Sequence, residues 1–431
     1  MSWKKVKIGD LCIIEKGAIG ILKAIPGEYP MVVTSEERKS HNEYQFDDEA
    51  VIIPLVSSTG HGHKSLKRIH FQKGKFAVGS ILCAVIPKNK AQLSAEYLYR
   101  FLDLNKENEL VARMKGMANV TLPMKEIAQI EIPLPPLNEQ NAFVEKHKNL
   151  ETQSTYLDTE LTHQLNLVKK LRQQFLQEAV QGKLMRNEEL EMRNTEGVGE
   201  TGAALLERIK AEKVKTGKKE KPLLPIKEDE IPFDIPDNWV WCRLGEVIEF
   251  TDNLNIETKL SPETMINYVD IDAIDNQRFE IKESKLKMVS ELSSRARRIL
   301  KKGYVVYSLV RPYLNNIAIV GDEKSNYIGS TGFAVFSGIF VNNTFLKHFL
   351  LSDYVRKLYL ELLSGFNSPS ISQEQFILTL IPLPPLSIQT QIVTKVEELM
   401  GLCDALEVGI RASKGVNEAL LQQVLREALA G

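Results

Sequence analysis

The pattern of apolar and polar positions is dominated by two long stretches in which apolar residues recur at alternating steps of four and three. Both stretches, residues 138–184 and 387–430, lack proline. This spacing predicts two helices that pack along an apolar seam, each roughly 60–70 Å long at about 1.5 Å per residue. The predicted seam positions are Phe143, His147, Leu150, Ser154, Leu157, Leu161, Gln164, Val168, Leu171 and Phe175 in the first stretch, and Ile392, Val396, Leu399, Cys403, Leu406, Ile410, Ser413, Asn417, Leu420 and Val424 in the second.

The two predicted helices belong to an internal repeat. An offset of 249 aligns residues 132–182 with residues 381–431 without a gap, and 18 of the 51 aligned positions are identical. Both copies open on IPLPPL and close on an LxQQxLxEAxxG pattern, and the same offset relates Gly116 to Gly365. A duplicated frame around two divergent inserts predicts two similar halves about an approximate two-fold axis, with the long helices antiparallel.

The inserts alternate short apolar runs with turn residues. VIIPLV, KFAVGSILCAVI, GYVVYSLV and TGFAVFSGIF are β-branched or aromatic runs, and a helical pattern follows each pair of runs, at 95–115 and 344–364. We therefore expect α/β (α+β) domains in two copies. The expected division is a first domain at 1–131, a central helix at 132–184, a charged connector at 185–235 with a helical patch at 203–214, a second domain at 236–380 and a C-terminal helix at 381–431.

The remaining composition excludes several classes of protein. There is no run of 18 apolar residues, and the start of the chain, MSWKKVKIGD, lacks the apolar segment of a secretory signal. The cysteines Cys12, Cys83, Cys242 and Cys403 lie far apart, with no Cys-x-x-Cys pair and no histidine at ligand spacing. We expect buried thiols in a reducing compartment, a cytoplasmic location and no membrane partner.

Two windows of the chain contain basic residues and no acid, although the whole chain has 56 acidic residues and a formal net charge of −1. One window lies in each insert, at residues 50–95 and 292–321. A surface that faces DNA phosphates needs such a composition, because nearby carboxylates would repel the DNA backbone. The alternative is that the strands of a buried sheet avoid charge while lysine occupies their turns.

The candidate DNA-contact residues combine these cations with hydroxyl, amide and aromatic side chains on predicted turns. Arginine and asparagine can pair bidentately with guanine and adenine edges, whereas lysine neutralises phosphates. The candidates are Ser57, Ser58, Thr59, His61, His63, Lys64, Lys67, Arg68 and Lys73 in the first insert, and Arg295, Arg297, Arg298, Lys301, Tyr307, Arg311, Tyr313, Asn315 and Asn316 in the second. Any single tyrosine or asparagine among them is equally compatible with an ordinary surface position.

Motifs for catalysis are missing or weak. The N/D-P-P-Y/F/W tetrapeptide of adenine methyltransferases and the G-x-x-x-x-G-K-S/T loop of translocases do not occur in the sequence. The pair Pro236-Asp237 and the triplet EIK at 280–282 can be aligned with a PD…ExK nuclease site, but carboxylates are common in turns. The HGH triplet at 61–63 lacks a third metal ligand at a plausible spacing. We expect no catalytic site, no cofactor and no metal in this chain.

Together these motifs resemble the specificity subunit of a type I restriction-modification system. The likeness rests on the two IPLPPL…Q…V helix entries, the two LxQQxLxEAxxG exits, the connector EKPLLPIKEDEIPFDIPDNWVWCRLG and the stretch SRARRILKKGYVVYSLVRPYLNNIAIV. It implies that 1–131 and 236–380 are target-recognition domains that each read one half of a split DNA sequence. It also implies that the two long helices form an antiparallel coiled coil that sets the spacer, and that the subunit itself has no catalytic activity.

The resemblance further implies double-stranded DNA and other subunits as partners. Two methyltransferase subunits, which use S-adenosylmethionine to methylate adenine N6, would dock on the outward faces of the helices, and up to two restriction (translocase-nuclease) subunits would join them. Because the inserts differ, the DNA target would be asymmetric. Two alternatives stay open at this point: a coiled-coil scaffold whose inserts bind proteins, and a specificity subunit whose modification and cleavage partner is one fused polypeptide.

Overall fold

The computed structural model describes residues 3–59, 62–184, 200–215, 223–321, 327–365 and 367–430. The chain forms two compact units, unit 1 with residues 1–163 and 410–431, and unit 2 with residues 164–409. Each unit contains one α/β domain and a part of both long helices. The sequence-based prediction of two α/β domains joined by two long helices is therefore confirmed.

Unit 1 is built on a six-stranded sheet. The strands of unit 1 are β1 (Lys5–Lys7), β2 (Cys12–Lys16), β3 (Tyr29–Val32), β4 (Lys39–His41), β5 (Phe46–Pro54), β6 (His70–Val78), β7 (Leu82–Pro87) and β8 (Glu131–Pro133). Its helices are α1 (Ile8–Leu11), α2 (Ala95–Leu104), α3 (Met124–Ala128) and the first long helix α4 (Leu137–Val180), which continues into unit 2. The sheet order is β2-β7-β5-β6-β3-β4, and β1 pairs separately with β8.

The centre of this sheet is buried on both faces because β5 and β7 are apolar at consecutive positions. Val51 and Ile53 on one side of the pleat pack with the helices, whereas Ile52 and Ala84 on the other side belong to a second core. Continuous apolar runs of this kind are typical of strands covered on both faces. The predicted run KFAVGSILCAVI is divided at Gly79, where the chain turns from β6 into β7.

Unit 2 contains two four-stranded sheets. Its strands are β9 (Val240–Arg243), β10 (Ile248–Phe250), β11 (Met265–Val269), β12 (Ile274–Asp275), β13 (Glu280–Ile281), β14 (Lys285–Met288), β15 (Ala296–Ile299), β16 (Val305–Ser308), β17 (Ile317–Ile319), β18 (Ile328–Ser330), β19 (Phe333–Gly338) and β20 (Leu380–Leu383). Its helices are α5 (Gly202–Lys215), α6 (Leu244–Val247), α7 (Ile256–Lys259), α8 (Asn343–Leu350), α9 (Asp353–Leu362), α10 (Gln373–Leu378) and the second long helix α11 (Leu386–Ala430), which continues into unit 1. The sheet orders are β10-β19-β16-β17 and β14-β11-β18-β15, with the pairs β12-β13 and β20-β9.

The two domains share a four-stranded core with the same strand order. The sequence β2-β7-β5-β6 in unit 1 corresponds to β10-β19-β16-β17 in unit 2, and all neighbours within each core are antiparallel. The cores differ in what is attached to them. In unit 1, β3 and β4 extend the same sheet, whereas in unit 2 the additional strands form the separate sheet β14-β11-β18-β15.

The long helices pack antiparallel to each other within the units. In unit 1, Asn417 Nδ2 donates to the Ser154 carbonyl at 3.0 Å, and Lys414 Nζ lies 2.9 Å from Asp158 Oδ1. In unit 2, Arg172 Nη2 lies 2.6 Å from Asp404 Oδ1. The partner numbers fall along α11 as they rise along α4, which confirms the predicted antiparallel coiled coil.

Part of the predicted seam is wrong by one residue. Leu157, Leu406 and Leu420 are exposed, Leu406 to 53%, and Ser413 is exposed as well. The neighbouring positions face the partner helix instead, and at three of them the side chain is charged: Asp158, Glu407 and Lys414. Apolar periodicity missed these positions because opposite charges in the two helices satisfy each other, and because a straight helix drifts by about 20° per heptad relative to a 3.5-residue repeat.

The connector is part of the core of unit 2 where the structure describes it. Helix α5 confirms the helical patch predicted at 203–214, and its residues Leu205, Leu206 and Ile209 are buried in the main core of unit 2. Farther along, Arg243 donates to the carbonyls of Leu224 and Leu378, which joins the connector to the domain. The connector predicted at 185–235 therefore packs into the core of unit 2 through its helical patch.

All four cysteines are free and buried, as the sequence predicts. Burial raises the pKa of Cys12 and of Cys83 to about 12, so both thiols stay protonated at neutral pH. Among the described residues, no helix is long and apolar enough to cross a membrane.

Candidate nucleic-acid interface

Each domain has a loop where the chain leaves the buried central strand of the shared core. In unit 1 this strand-exit loop, residues 55–69, connects β5 to β6; in unit 2 the strand-exit loop, residues 309–316, connects β16 to β17. A second loop, called here the glycine loop, precedes the last short helix of each domain at residues 115–121 and 364–370. Residues 60, 61 and 366, and with them the candidate His61, lie outside the described residues.

The strand-exit loop and the glycine loop are joined by backbone hydrogen bonds in unit 1. The Ser57 N–H donates to the Val120 carbonyl at 3.0 Å, and the Leu122 N–H donates to the Leu55 carbonyl at 2.9 Å. These bonds form a short antiparallel pairing at the end of the buried strand. The base of both loops is thereby held on the rigid sheet, which is where precise recognition residues are best placed.

The same two bonds recur in unit 2 at corresponding positions. The Arg311 N–H donates to the Pro369 carbonyl at 2.7 Å, and the Ile371 N–H donates to the Leu309 carbonyl at 3.0 Å. The loop tips differ in sequence between the two units, whereas Leu55-Val56 and Leu309-Val310 recur at the base of the pairing and the backbone bonds are the same. Each domain thus presents two adjacent loops of variable sequence on a constant support.

Glycine closes the second loop in both units. Gly116 has a φ of 116°, and a Cβ atom there would lie 2.2 Å from the carbonyl oxygen of Asn119. Gly365 has a φ of 93°. In unit 1 the loop is closed by two 2.8 Å bonds between the backbones of Lys115 and Thr121. The repeated glycine identified in the sequence is therefore required by a left-handed turn.

The predicted hydroxyl contacts of unit 1 hold the loop itself. Ser57 Oγ donates to the His63 carbonyl at 2.6 Å, and Thr59 Oγ1 lies 2.8 Å from Ser65 Oγ. Ser58 Oγ accepts the Lys67 N–H at 2.8 Å. These hydroxyl groups shape the strand-exit loop, and its exposed tip presents His63, Lys64 and Lys67.

Several cations of the first basic window are paired with acids that lie outside it in sequence. Lys90 Nζ is 2.7 Å from Asp48 Oδ1, and Arg68 Nη1 is 2.9 Å from Glu36 Oε2. Lys73 lies on β6, opposite Glu49 on β5. The pairing of β5 with β6 places the acidic start of β5 beside residues of the basic window. Lys73 lies in this strand pairing and not in the strand-exit loop, which carries Lys64.

The strand-exit loop of unit 2 contains a strained turn. Arg311 and Asn315 both have positive φ, 49° and 56°, on either side of a short 3₁₀ turn that Pro312 begins. Non-glycine residues in this region cost about 1–3 kcal/mol each and persist where the surroundings determine them. The turn exposes Tyr313 and Leu314 at its tip.

The two loops of unit 2 are also joined through side chains. Arg311 Nη2 donates to the Asn367 carbonyl at 3.2 Å, which links the strand-exit loop to the glycine loop. On the other flank, Asn276 Nδ2 donates to the Leu314 carbonyl at 3.0 Å. Three candidates, Arg311, Tyr313 and Asn315, therefore lie together in one supported turn.

Arg295, which directly precedes β15, and Arg297 and Arg298 within it have different surroundings. Arg295 and Arg297 are exposed, and the register of β15 against β18 shifts at Arg297, as in a β-bulge. Arg298 is buried, and its Nη2 donates to Gln373 Oε1 at 2.9 Å. Arg298 therefore joins β15 to α10 and does not belong to the exposed basic surface; Lys301 is half-buried, with Nζ 5.5 Å from the Tyr304 ring centroid.

Tyr307 and Asn316 were predicted as DNA contacts, but both are buried and are removed from the candidate set. Tyr307 is only 2% exposed and stacks on Phe376 at a ring distance of 5.6 Å, and burial raises its pKa. Asn316 is buried, and its carbonyl accepts the Ser308 N–H at 2.9 Å. Alternation along β16 turns Tyr307 inward, and Asn316 is buried where the strand-exit loop joins β17; a sequence without known register reveals neither.

Sequence reasoning missed the glycine loops as part of the site. Met117 is 94% exposed at the tip of the loop in unit 1, and Asn367 contributes the carbonyl that binds Arg311 in unit 2. The signal was present, because Gly116 and Gly365 fall at the same offset as the repeated helices. It was not used, because nothing in the sequence shows that these loops pair with the strand-exit loops.

The weak nuclease motif has no metal-binding geometry. Glu280 Oε1 lies 3.7 Å from Arg278, and Lys282 Nζ lies 3.1 Å from Asp275 Oδ2. Within the part of the chain that the structure describes, no group of three or more His, Cys, Asp or Glu side chains is arranged to hold a metal ion.

Several large apolar side chains on the long helices face solvent. In unit 1, Tyr156 is 74% exposed and Val416 is 65% exposed. In unit 2, Leu402 and Val408 are also exposed. Leu402 and Leu406 lie one helical turn apart and are both exposed, as are Val416 and Leu420. Adjacent exposed apolar side chains of this kind are typical of surfaces that bind another protein.

Comparison with known proteins places this geometry in a family context. The family model described as "Type I restriction modification DNA specificity domain" matches residues 1–168 and 236–413, one match for each α/β domain. The chain is 24% identical over 437 residues to the EcoDI specificity subunit of Escherichia coli, covering 100% of this chain and 88% of that protein. It is 30% identical over 311 residues to the EcoAI specificity subunit of the same organism, covering 66% of this chain and 48% of that protein.

Solved structures share the fold. The structure described as "Crystal structure of HsdS subunit from Thermoanaerobacter tengcongensis" has a TM-score of 0.56 at 17% identity, covering 100% of this chain and 97% of that chain. A chain from a structure described as "Structural basis underlying complex assembly and conformational transition of the type I R-M system" has a TM-score of 0.64 at 16% identity, covering 100% of this chain and 98% of that chain. At these identities the likeness concerns the fold.

Proposed function

The chain belongs to the family of type I restriction-modification specificity subunits, and from this premise we propose that it is the DNA-reading, non-catalytic subunit of such a complex. Its two recognition domains read the two halves of a split, asymmetric target. Partner subunits carry out the chemistry, with S-adenosylmethionine bound by the methyltransferase and with no cofactor or metal in this chain.

The observation that carries this proposal is the same loop support in both domains with different side chains on it. In unit 1 the support presents His63, Lys64 and Lys67, and in unit 2 it presents Arg311 and Tyr313. A constant backbone with variable tips is what two readers of different half-sites need, because specificity comes from side chains that reach base edges. The exposed Arg295 and Arg297 of unit 2 supply phosphate contacts that hold the register on the duplex.

The partner subunits proposed here are two methyltransferase subunits and up to two restriction subunits. The support is the exposed apolar side chains of the long helices, among them Tyr156 in unit 1 and Leu402 in unit 2. A methyltransferase must extrude the target adenine from the stack, which costs a few kcal/mol. A subunit that holds the duplex on both half-sites keeps the DNA in place while its partner does this.

The decisive experiment is sequencing of modified bases in DNA from a methylation-free host. The chain is expressed with its cognate methyltransferase, and a matched strain expresses the methyltransferase alone. We expect N6-methyladenine at a single two-part, asymmetric motif in the first strain and none in the second. Absence of the mark, with a partner shown to be folded and to bind S-adenosylmethionine, contradicts the proposal.

Salt dependence separates this function from a scaffold that binds only proteins. Binding through several phosphates weakens by about 10³–10⁵ between 50 and 200 mM salt when six to ten phosphates are contacted. The scaffold interpretation, which the paired cations of unit 1 favour, requires binding that changes little over this range. Whether modification and cleavage reside in separate or fused partners is read from the subunits that co-purify with the chain.

A further inference from the structure

A glutamine in the first turn of each long helix is completely buried. Gln140 in α4 and Gln389 in α11 are both 0% exposed, and the repeat offset of 249 relates them. A primary amide rarely occupies such a position unless its donors and acceptor are satisfied. Gln140 satisfies its oxygen and both N–H groups, and Gln389 its oxygen and one N–H group, with partners from the recognition domain and from the entry to the helix.

Gln140 connects three parts of unit 1. Its Nε2 donates to the Pro135 carbonyl at 2.8 Å and to the Gln92 carbonyl at 2.9 Å, and its Oε1 accepts the Ser94 N–H at 2.9 Å. Ser94 is the N-cap of α2, where its Oγ accepts the Tyr97 N–H. One amide therefore ties the start of α4 to the start of the first domain helix.

Gln389 makes the corresponding connection in unit 2. Its Nε2 donates to the Pro384 carbonyl at 2.9 Å, and its Oε1 accepts the Asn342 N–H at 2.9 Å. Asn342 is the N-cap of α8, where its Oδ1 accepts the N–H groups of Thr344 and Phe345. The same bond, donated by the N-cap backbone N–H of the domain helix to the amide oxygen at the helix entry, thus occurs in both halves although the caps differ.

We propose that Gln140 and Gln389 are positioning residues that fix the angle of each recognition domain on its long helix, and thereby the one DNA spacer length that the subunit accepts. The inference rests on the proposed function. Apolar contacts at the same junction are non-directional, whereas hydrogen bonds from one amide to backbone atoms of two elements define an orientation. Base pairs rise by about 3.4 Å along the duplex, so a small rotation at the junction changes which spacer places both loop pairs on their half-sites.

The test uses the full chain with its cognate methyltransferase in a methylation-free host that carries a library of targets differing only in spacer length. Gln140→Leu and Gln389→Leu remove the amide, and the matched controls are Asn141→Ala and Thr390→Ala. These two controls lie one residue farther along, are exposed and are related by the same repeat offset. The readout is the ratio of N6-methyladenine at the native spacer to that at spacers one base pair longer or shorter.

We expect each leucine variant to lower this ratio by about tenfold with unchanged half-sites, because a loosened junction misplaces the reading loops. Both controls should keep the ratio of the unsubstituted chain. A variant whose methylation falls by the same factor at every spacer shows a purely structural role and overturns the inference. An unchanged ratio at full activity overturns it as well.

Two further choices keep the outcome decisive. Gln140→Met keeps the length of the side chain without its amide. It replaces Gln140→Leu in the experiment if that variant does not fold. The unsubstituted chain separates this inference from the proposed function. If it gives no methylation that depends on the chain, the proposed function fails; if it gives a single-spacer motif that the variants retain, only the positioning role fails.

Discussion

The two recognition domains share a core sheet and differ in whether the basic side chains around it are paired with acidic ones. In unit 1 two cations of the basic window are paired with acids from outside it, Lys90 with Asp48 and Arg68 with Glu36, whereas Lys64 and Lys67 stay exposed at the tip of the strand-exit loop. In unit 2 Arg295, just before the bulged strand β15, and Arg297 on that strand stay exposed, and Arg311 supports a strained turn. Two windows that look equivalent in sequence therefore give different surfaces, because the attached strands are arranged differently.

This difference teaches that the shared core and the variable attachments have separate tasks. The four-stranded order, the pairing of the strand-exit and glycine loops and the buried amide at the helix entry are common to both units. The connection between β3 and β4 in unit 1 supplies Glu36, which pairs with Arg68, whereas Arg295 and Arg297 stay exposed at the separate sheet of unit 2. Variation in these attachments changes the presented surface without disturbing the support.

The largest expected effect is a loss of stability on truncating a core side chain of unit 2 that the sequence assigned to the surface. Tyr307→Ala removes a ring that stacks on Phe376 and should lower the free energy of unfolding by about 3–5 kcal/mol. Tyr307→Phe keeps the ring and serves as the matched control. Chemical denaturation with hydrogen exchange at peptides of each unit measures this. If Tyr307→Ala instead keeps full stability and loses DNA binding, the correction to the candidate set is wrong.

Acidification should destabilise both domains through one buried imidazole in each. Burial, with Arg38 and Arg68 nearby, lowers the pKa of His70 to about 4, and burial beside Lys347 lowers the pKa of His348 to about 3. Because both pKa values lie below the ordinary value near 6.5, the stability is fully present above that pH and is lost as pH falls toward 4 and 3.

Each histidine contributes a slope of up to about 1.4 kcal/mol per pH unit within that window. Urea unfolding at a series of pH values, again with hydrogen exchange in each unit, gives the slopes. His348→Leu should flatten the slope of unit 2 and leave unit 1 unchanged. Equal slopes in the variant and the unsubstituted chain would show that other groups cause the acid sensitivity.

Charge reversal should affect DNA binding unequally in the two domains. Replacing Arg295 and Arg297 by glutamate should lower DNA affinity by about tenfold or more, and should reduce the salt slope by about 1 for each phosphate that is no longer neutralised. Replacing Lys73 and Lys90, which face Glu49 and Asp48, should change the affinity less than about twofold.

A titration of labelled DNA at several salt concentrations measures the DNA affinity of both double variants. Equal decreases in affinity for the two pairs would remove the contrast between the domains. An unchanged affinity for the pair Arg295 and Arg297 would take β15 out of the DNA interface, although it would leave the strained turn at Arg311 as a candidate.

The smallest effect concerns the ion pairs between the long helices. Arg172 with Asp404 in unit 2 and Lys414 with Asp158 in unit 1 are partly exposed. Replacing Arg172 or Lys414 by Met should lower the free energy of unfolding by less than about 1 kcal/mol. Thermal unfolding measures this decrease. A decrease of several kcal/mol would show that these positions hold the helices together, as buried apolar seam residues do.

A large part of the fold was predictable because it depends on local periodicity and on the repeat. The two long helices, helix α5 and the central strands appear where the apolar pattern predicts them, within a few residues. The predicted helix at 344–364 is divided at Ser352, which is buried and caps the start of α9. The seam was predicted only in part. The spacing predicts that Leu406 and Ser413 contact the other helix, whereas the next residues, Glu407 and Lys414, make that contact.

The candidate site was predictable at the level of segments and not of side chains. Arg311, Tyr313 and Asn315 lie together in a supported turn, and they remain candidates for DNA contact. Arg298 and Tyr307 point inward, because residues on a strand alternate between two faces and a one-residue change of register exchanges them. Asn316 is buried at the end of the strand-exit loop, where the loop joins β17. Nothing within a single strand reveals which face the rest of the chain will cover.

The sequence by itself determined the duplicated frame, the α/β class of both inserts, the length of the helices and the burial of the thiols. Each of these follows from composition or spacing along the chain, because neighbours in sequence share one helix or strand. Only the tertiary structure decided which cations are neutralised, since Asp48 and Glu36 reach Lys90 and Arg68 through the folding of separate segments. It also brought Gly116 and Gly365 beside the strand-exit loops, since hydrogen bonds between distant segments form only after the sheet has assembled.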